Sequence, residues 1–148
     1  MMIKRILVPT DFSDSALHAL SYAVDLAKKY NSDLFVINVI YDVVAASGMY
    51  VPHVSVNEMF KEMEESANKE IRLFGAGQYE DITNVSHAVL RGAPYEEIIK
   101  FSEQNSIDLI VMGTHGRKGL DRLFFGSTVD RVLRHSKCPV LAVRGSHE

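Results

Sequence analysis

Short apolar runs and amphipathic segments alternate along the whole chain. Five runs predict strands, at about residues 3–8, 33–41, 83–90, 107–113 and 138–144. In the first run the apolar residues are consecutive instead of alternating with polar ones. That pattern is typical of a strand buried on both faces of a sheet. We therefore expect a sheet with its first strand in the interior.

The segments between the runs have the three-and-four spacing of amphipathic helices. The apolar face of the first helix comprises residues 16, 17, 20, 23, 24 and 27. The stripe of the second comprises residues 56, 60, 63, 67, 71 and 74, and glycines at 75 and 77 end that helix. Met59 and Met63, four residues apart, are expected to pack in the core.

A third helix is expected to open at Pro94, whose missing N–H costs nothing in a first turn. A short fourth helix is expected over about residues 127–136. Strands separated by helices need crossover connections, which produce a parallel sheet and are right-handed in nearly all cases. The chain thus predicts a five-stranded, doubly wound α/β sandwich of Rossmann-like layering. One domain is expected over residues 1–148.

Composition limits the classes of partner. The net charge of −3 provides no basic field for nucleic acid. Cys138 is the single cysteine, so no intrachain disulfide is possible, which is compatible with a reducing compartment. The apolar run before Pro9 is too short for a signal peptide or a membrane span. The interpretation is a cytoplasmic protein with neither a nucleic-acid nor a membrane partner.

A glycine-rich stretch, VMGTHGRKGLDRLFFGST at residues 111–128, follows the fourth predicted strand. Ligands of open α/β sheets bind beyond the carboxyl ends of strands, where the strand order reverses. Glycines let backbone N–H groups approach a polyanion, and a helix starting at Ser127 would add free N–H groups. The stretch suits a nucleotide, although turn chemistry explains the glycines equally well. It is neither a Walker A loop nor a dinucleotide fingerprint.

Several side chains near this stretch have two interpretations. Asp11 could contact the nucleoside or an ion-bound water, could cap the first helix, or could do both, and Ser13 also supplies start chemistry for that helix. Arg117 and Lys118 either neutralise phosphate charge or are solvated. His115 could be an acid, a base or a phosphate donor, but no carboxylate neighbours it in sequence. No catalytic residue is assigned, and the other histidines lack metal-site spacing.

The spacing of Gly113, Gly116 and the pair Gly126-Ser127 resembles the nucleotide-binding signature of the universal stress protein family. ILVPTDFSDSA is similar to the family's first strand and turn, and IDLIVMGTHGRKGLDRLFFGSTVDRVLRHSKCPVLAVR is similar to its C-terminal third. The resemblance implies an ATP-binding α/β domain with strand order 3-2-1-4-5 and a homodimer. Because the signature is complete, we expect the ATP-binding subgroup.

The resemblance also implies the site residues. The segment around the adenosine is matched by Pro9, Thr10 and Asp11, and the backbone position that contacts adenine is matched by Val39. The ribose and phosphate loop is matched by Gly113, Gly116, Gly126, Ser127 and Thr128, with Met112, Thr114, His115, Arg117 and Val129 as neighbours. Mg²⁺ or Mn²⁺ is expected with the triphosphate, because phosphate oxygens favour hard cations.

Two classes of function follow. The favoured one is a nucleotide-dependent regulator that binds ATP and passes its state to an unidentified protein partner. The alternative is a slow ATPase or a nucleotidyl or phosphoryl transferase, which would need a positioned base that the sequence does not supply. The last strand would be an exposed apolar edge, so we expect it to pair with a second copy in a C2 dimer.

Overall fold

The computed structural model describes residues 2–42, 48, 53–115 and 127–145. Within these residues the elements are β1 (Arg5–Pro9), α1 (Asp14–Tyr30), β2 (Asp33–Tyr41), α2 (His53–Leu73), β3 (Val85–Gly92), α3 (Pro94–Gln104), β4 (Leu109–Gly113), α4 (Ser127–His135) and β5 (Val140–Val143). The strands form one parallel sheet in the order β3-β2-β1-β4-β5. The expected fold, including the strand order, is confirmed.

Both faces of the sheet are covered, because neighbouring strand residues belong to opposite cores. Ile6 and Val8 pack on one face against α1 and the end of α2. Leu7 packs on the other face with Ile98 of α3 and Val132 of α4. All three β1 residues are fully buried, which explains why apolar residues are consecutive in this strand.

Helix α1 is held at both ends by local hydrogen bonds. Ser13 is the N-cap, and its hydroxyl accepts a hydrogen bond from the Ala16 N–H at 3.1 Å. Asn31 ends the helix in the left-handed region, with φ of 54°. Five of the six expected apolar positions are buried, whereas Leu17 remains 38% exposed. Leu17 therefore lies at the margin of the buried face.

Helix α2 packs on β2 and β3 through a stripe narrower than the sequence predicts. Val56, Phe60 and Ala67 are buried with Ile40 of β2. Met59 and Met63 are 45% and 41% exposed, so the expectation that both pack in the core is wrong. They lie on the flank of the helix face centred on Phe60 and Ala67, where they remain partly exposed.

Arg91 fastens α2 to the carboxyl ends of β2 and β3. Its Nε donates to a carboxylate oxygen of Asp42 at 3.0 Å. Its guanidinium carbon lies 3.6 Å from the centroid of the Phe60 ring. A cation stacked on an aromatic face and paired with a partly buried carboxylate is a stronger contact than an exposed ion pair.

The turn after α2 depends on one glycine. Gly75 has φ of 72°, and a β-carbon there would overlap Leu20 Cδ2 and lie 2.8 Å from the Tyr79 hydroxyl. That hydroxyl donates to the Phe74 carbonyl at 2.9 Å. Burial raises the pKa of Tyr79 to about 12, so the phenol remains a donor at neutral pH. Gly75 thus closes α2 against α1.

We predict that Gly75→Ala destabilises the fold more than Gly77→Ala. Gly77 also has positive φ, of 90°, but a β-carbon there meets nothing within 4 Å. Gly77→Ala should lower the free energy of unfolding by about 1–2 kcal/mol from backbone conformation alone. Gly75→Ala should cost at least about 1 kcal/mol more, from overpacking. Urea denaturation measures both, and equal losses would contradict the packing argument.

Candidate functional site

A cavity of about 350 Å³ opens at the carboxyl ends of β1, β2 and β4, where the strand order reverses. Ten of the predicted site residues line it: Pro9, Thr10, Asp11, Val39, Met112, Gly113, His115, Ser127, Thr128 and Val129. Five lining residues were not predicted: Ala16, Ile37, Asn38, Pro94 and Ile98. The volume is within the range of small-ligand pockets.

Three predicted residues, Gly116, Arg117 and Gly126, lie outside the described residues, as does Lys118. The fourteenth, Thr114, lies behind the cavity wall. It is 2% exposed, and its N–H donates to the Val143 carbonyl at 3.0 Å. Its hydroxyl lies 3.0 Å from His115 Nδ1. Thr114 therefore supports His115 and joins β4 to β5.

The turn between β1 and α1 forms one wall. The Thr10 N–H donates to the Ile37 carbonyl at 2.8 Å, and the Thr10 hydroxyl accepts from the Phe12 N–H at 2.9 Å. Asp11 Oδ1 accepts from the Ser13 N–H at 3.0 Å. The two interpretations of Asp11 are thus compatible, because the carboxylate that stabilises the start of α1 also lines the cavity.

The end of β2 forms a second wall, where no described residue pairs with the backbone of Val39 on its β1 side. In a parallel sheet, successive residues direct their N–H and C=O groups to opposite neighbours. Asp33 and Ile37 bond on the β1 side of β2. Val39, two residues further, faces the same side, but the β1–β2 pairing ends at Pro9 and Ile37. The N–H and C=O of Val39 therefore face the cavity where a strand would otherwise lie.

The end of β4 approaches the first turn of α1 closely. A β-carbon on Gly113 would lie 2.5 Å from Ser15 Oγ and 2.8 Å from the Ser15 carbonyl oxygen. The N–H of His115, two residues after Gly113, donates to Ser15 Oγ at 3.4 Å. Glycine at 113 is thus required by helix packing as well as suited to a ligand. The sequence suggested only the second reason.

Three helices begin at the cavity. Lining residues occur in the first turns of α1, α3 and α4, namely Ala16, Pro94 and Ser127 with Thr128. The first-turn N–H groups of α4 and the positive ends of the three helix dipoles therefore lie beside one space, whereas the Ala16 N–H is bonded to Ser13 and Pro94 has no N–H. This arrangement favours an anion.

The cavity has an apolar floor and a polar rim. Ile37, Ile98, Met112 and Val129 are each at most 5% exposed and belong to one core cluster. The rim carries hydroxyl, carboxylate, amide and imidazole groups, of Thr10, Asp11, Asn38, His115, Ser127 and Thr128. A flat apolar group with a charged polar extension matches this division.

The residues that the sequence did not predict differ in the signal they offered. Asn38 is a polar residue inside an apolar strand, and that contrast could have identified it. Pro94 and Ile98 lie on α3, whose position over β2 is a tertiary feature. Among the described residues there is no cluster of three His, Cys, Asp or Glu side chains able to hold a metal ion, and no helix long and apolar enough to cross a bilayer.

The model of the universal stress protein family matches residues 2–144. Universal stress protein MJ0531 of Methanocaldococcus jannaschii is 34% identical, over 97% of this chain and 83% of the relative. YxiE of Bacillus subtilis, also a universal stress protein, is 30% identical over 97% of this chain and its own whole length.

Solved structures show the same fold. MJ0577 superposes with a TM-score of 0.81 and 30% identity, over 97% of both chains. UspA of Lactobacillus plantarum superposes with a TM-score of 0.76 and 25% identity, over 97% of this chain and 99% of the other. A universal stress protein solved in complex with cAMP superposes with a TM-score of 0.63 and 25% identity, over 99% of this chain and all of that one.

We predict that Gly113→Ala destabilises the protein by about 1–3 kcal/mol, because the Ser15 backbone cannot rotate away from the added methyl. Urea denaturation measures the loss. Ser15→Ala in the same background should recover only part of it, since the carbonyl contact remains. Unchanged stability of Gly113→Ala would contradict the close approach. Loss of ligand binding in such a variant would not by itself identify a phosphate contact.

Proposed function

The chain belongs to the universal stress protein family, and on that premise we propose that its cavity binds an adenine nucleotide, ATP with Mg²⁺ or Mn²⁺. The observation that carries the proposal is the pairing of an apolar floor with backbone groups and helix N-termini at the sheet's switch point. The base and the phosphates of a nucleotide each have a counterpart there.

The base would lie on the apolar floor against Val39. Ile37, Ile98 and Met112 provide buried apolar surface for a planar ring. The N–H and C=O of Val39, which have no partner among the described residues, provide one donor and one acceptor side by side. Adenine carries an acceptor next to an amino donor on its Watson–Crick edge, which matches that pair. The contact would depend on the Val39 backbone and little on its side chain.

The phosphates would lie at the start of α4. Ser127 and Thr128 combine hydroxyl donors with the N–H groups of a first helical turn. The resemblance adds Gly116, Arg117 and Gly126 to this part of the site. Asp11 is the one carboxylate among the described lining residues. A divalent cation would therefore be held mainly by phosphate oxygens and water, as is usual for Mg²⁺.

A family member supports the nucleotide class. The universal stress protein solved with cAMP shares the fold over essentially all of this chain. Cyclic AMP contains the same base and sugar as ATP. We extend the adenine nucleotide class to this chain because the described cavity meets the same chemical demands.

We propose regulation rather than catalysis as the role of the nucleotide. Hydrolysis would need a base free to activate water. Asp11 Oδ1 accepts from the Ser13 N–H, and His115 Nδ1 lies against the Thr114 hydroxyl. Both side chains are thus engaged in holding the turn and the end of β4. A cytoplasmic sensor that presents its nucleotide state to a protein partner fits these features best.

We also propose a homodimer through β5, which lies at one edge of the sheet. The carbonyls of Pro139 and Val143 accept hydrogen bonds from β4. The backbone groups of Ala142 therefore face away from β4. Residues 140–142 are half-buried and apolar, so an antiparallel second copy would cover an edge that favours pairing.

We predict that the protein binds Mg-ATP and that Ser127→Glu weakens the binding about tenfold or more. A glutamate in the first turn suits the helix dipole, so α4 should remain folded while its charge repels phosphate. Calorimetry with ATP and with adenosine measures the effect. Adenosine has no phosphate, and its affinity should stay unchanged.

Ser127→Ala serves as the uncharged control and should lose less affinity than Ser127→Glu. Failure of the wild-type protein to bind any adenine nucleotide would refute the proposed function. A loss of adenosine affinity equal to that of ATP would refute the placement of the phosphates at α4.

For the dimer, we predict that Ala142→Pro produces a folded monomer, measured by light scattering at micromolar concentration. Proline removes an N–H that faces the outer edge and leaves the β4 ladder intact. His87→Pro is the matched control, because His87 occupies an equivalent outward position on β3, the opposite edge. That variant should remain a dimer. A monomeric wild-type protein would be inconsistent with the β5 interface.

A further inference from the structure

Asn38 is a half-buried polar residue of β2 that lines the cavity and follows two buried core residues. The preceding residues, Val36 and Ile37, are each at most 1% exposed and pack on opposite faces of the sheet. The Asn38 amide nitrogen donates to the carbonyl of Thr10 at 2.8 Å. A backbone carbonyl can only accept a hydrogen bond, so the nitrogen of the amide must face it. The bond therefore joins the end of β2 to the turn that follows β1.

Thr10 is the residue through which this bond acts. It is 6% exposed, and each of its polar groups has a partner. Its N–H donates to Ile37, its hydroxyl accepts from Phe12, and its carbonyl accepts from Asn38. The first two bonds end β1 and start the turn. The third comes from a side chain, so a substitution can remove it without altering the backbone.

The turn needs such support because Phe12, two residues after Thr10, adopts an uncommon conformation. Phe12 has φ of 66°, which is unusual for a bulky residue. The Phe12 ring packs edge-on against the Phe74 ring, with 5.8 Å between the two ring centroids, and this contact anchors the Phe12 side chain. The backbone on the cavity side is held by Asn38 through Thr10. Residues in such conformations persist only where their surroundings over-determine them, and they cluster at ligand sites.

We propose that Asn38 is a positioning residue for nucleotide binding. Its amide holds Thr10 in place and thereby fixes Asp11 and the start of α1 at the wall of the cavity. The inference rests on the proposed function, since it assigns Asn38 a part in that same site. A neutral donor is required at this position. An acceptor there would repel the Thr10 carbonyl, and an apolar side chain would leave that carbonyl without its bond.

Two variants separate loss of the donor from change of charge. Asn38→Leu keeps the approximate size and removes the hydrogen bond. Asn38→Asp keeps the shape and replaces the donor by a charged acceptor. Asn84→Leu is the matched control, because the Asn84 amide also donates from a strand end, to Asp33 Oδ1 at 2.9 Å, but at the opposite end of the sheet.

The first measurement is amide hydrogen exchange of Phe12 and Ser13 without nucleotide. Both N–H groups are bonded inside the turn. In Asn38→Leu and Asn38→Asp they should exchange at least about tenfold faster than in the wild type, while the amides of β4 keep their protection. Asn84→Leu should leave Phe12 and Ser13 unchanged. This readout does not depend on any ligand.

The second measurement is the affinity for Mg-ATP and for adenosine by calorimetry. Asn38→Leu should bind both about tenfold more weakly, because the wall of the cavity is no longer held in place. Asn84→Leu should bind as the wild type does. If Asn38→Leu exchanges and binds like the wild type, or exchanges faster but keeps its affinity, the positioning role is refuted.

The two proposals fail in different ways. A wild-type protein that binds no adenine nucleotide refutes the proposed function, and the role of Asn38 in binding is refuted with it. A wild-type protein that binds, together with an Asn38→Leu variant of equal affinity, refutes only the role of Asn38. If Asn38→Leu does not fold, the same comparison is made with Asn38→Asp.

Discussion

The early end of β1 is the constraint on which the site depends. β1 pairs with β2 only as far as Pro9 and Ile37, and the Thr10 N–H makes the last bond. β2 continues to Tyr41 beside β3. Among the residues that the structure describes, no strand therefore lies on the β1 side of β2 beyond Ile37, in the interior of the sheet. Unpaired backbone groups in such a place must find water or a ligand.

The chain then turns away from the sheet, and the turn is held from several sides. Thr10, Asp11 and Ser13 each accept a hydrogen bond from a nearby backbone N–H. Asn38 supplies the contact from β2. Because the turn leads directly into α1, its geometry also sets where that helix meets β4. The close approach of Gly113 in β4 to Ser15 in α1 follows from the same geometry.

Stability and binding are therefore difficult to separate in this site. Gly113 lines the cavity and also permits α1 to pack against β4. Ile98, Met112 and Val129 form the cavity floor and also belong to the core beneath it. Substitutions that leave the packing intact, such as charge changes at the exposed start of α4, are more informative about a ligand. A substitution of Asn38 is informative for the same reason, because this half-buried side chain acts through its hydrogen bond to the Thr10 carbonyl.

The sequence by itself determined the succession of elements, because the spacing of apolar residues records which faces are buried. The observed bounds of β2 agree with those predicted from the spacing, and α3 begins at Pro94 as predicted. The resemblance also named ten residues that line the cavity, and their role as ligand contacts stays a prediction. The limit of this record is shown by three exposed residues, Leu17, Met59 and Met63. Apolar spacing does not indicate how much of the helix surface the neighbouring elements cover. Only the tertiary structure decided that Thr114 lies behind the cavity, that Gly113 meets Ser15, and that Asn38 holds Thr10. Each of these depends on contacts between residues distant in the chain, and their distances are set by the packing of the sheet.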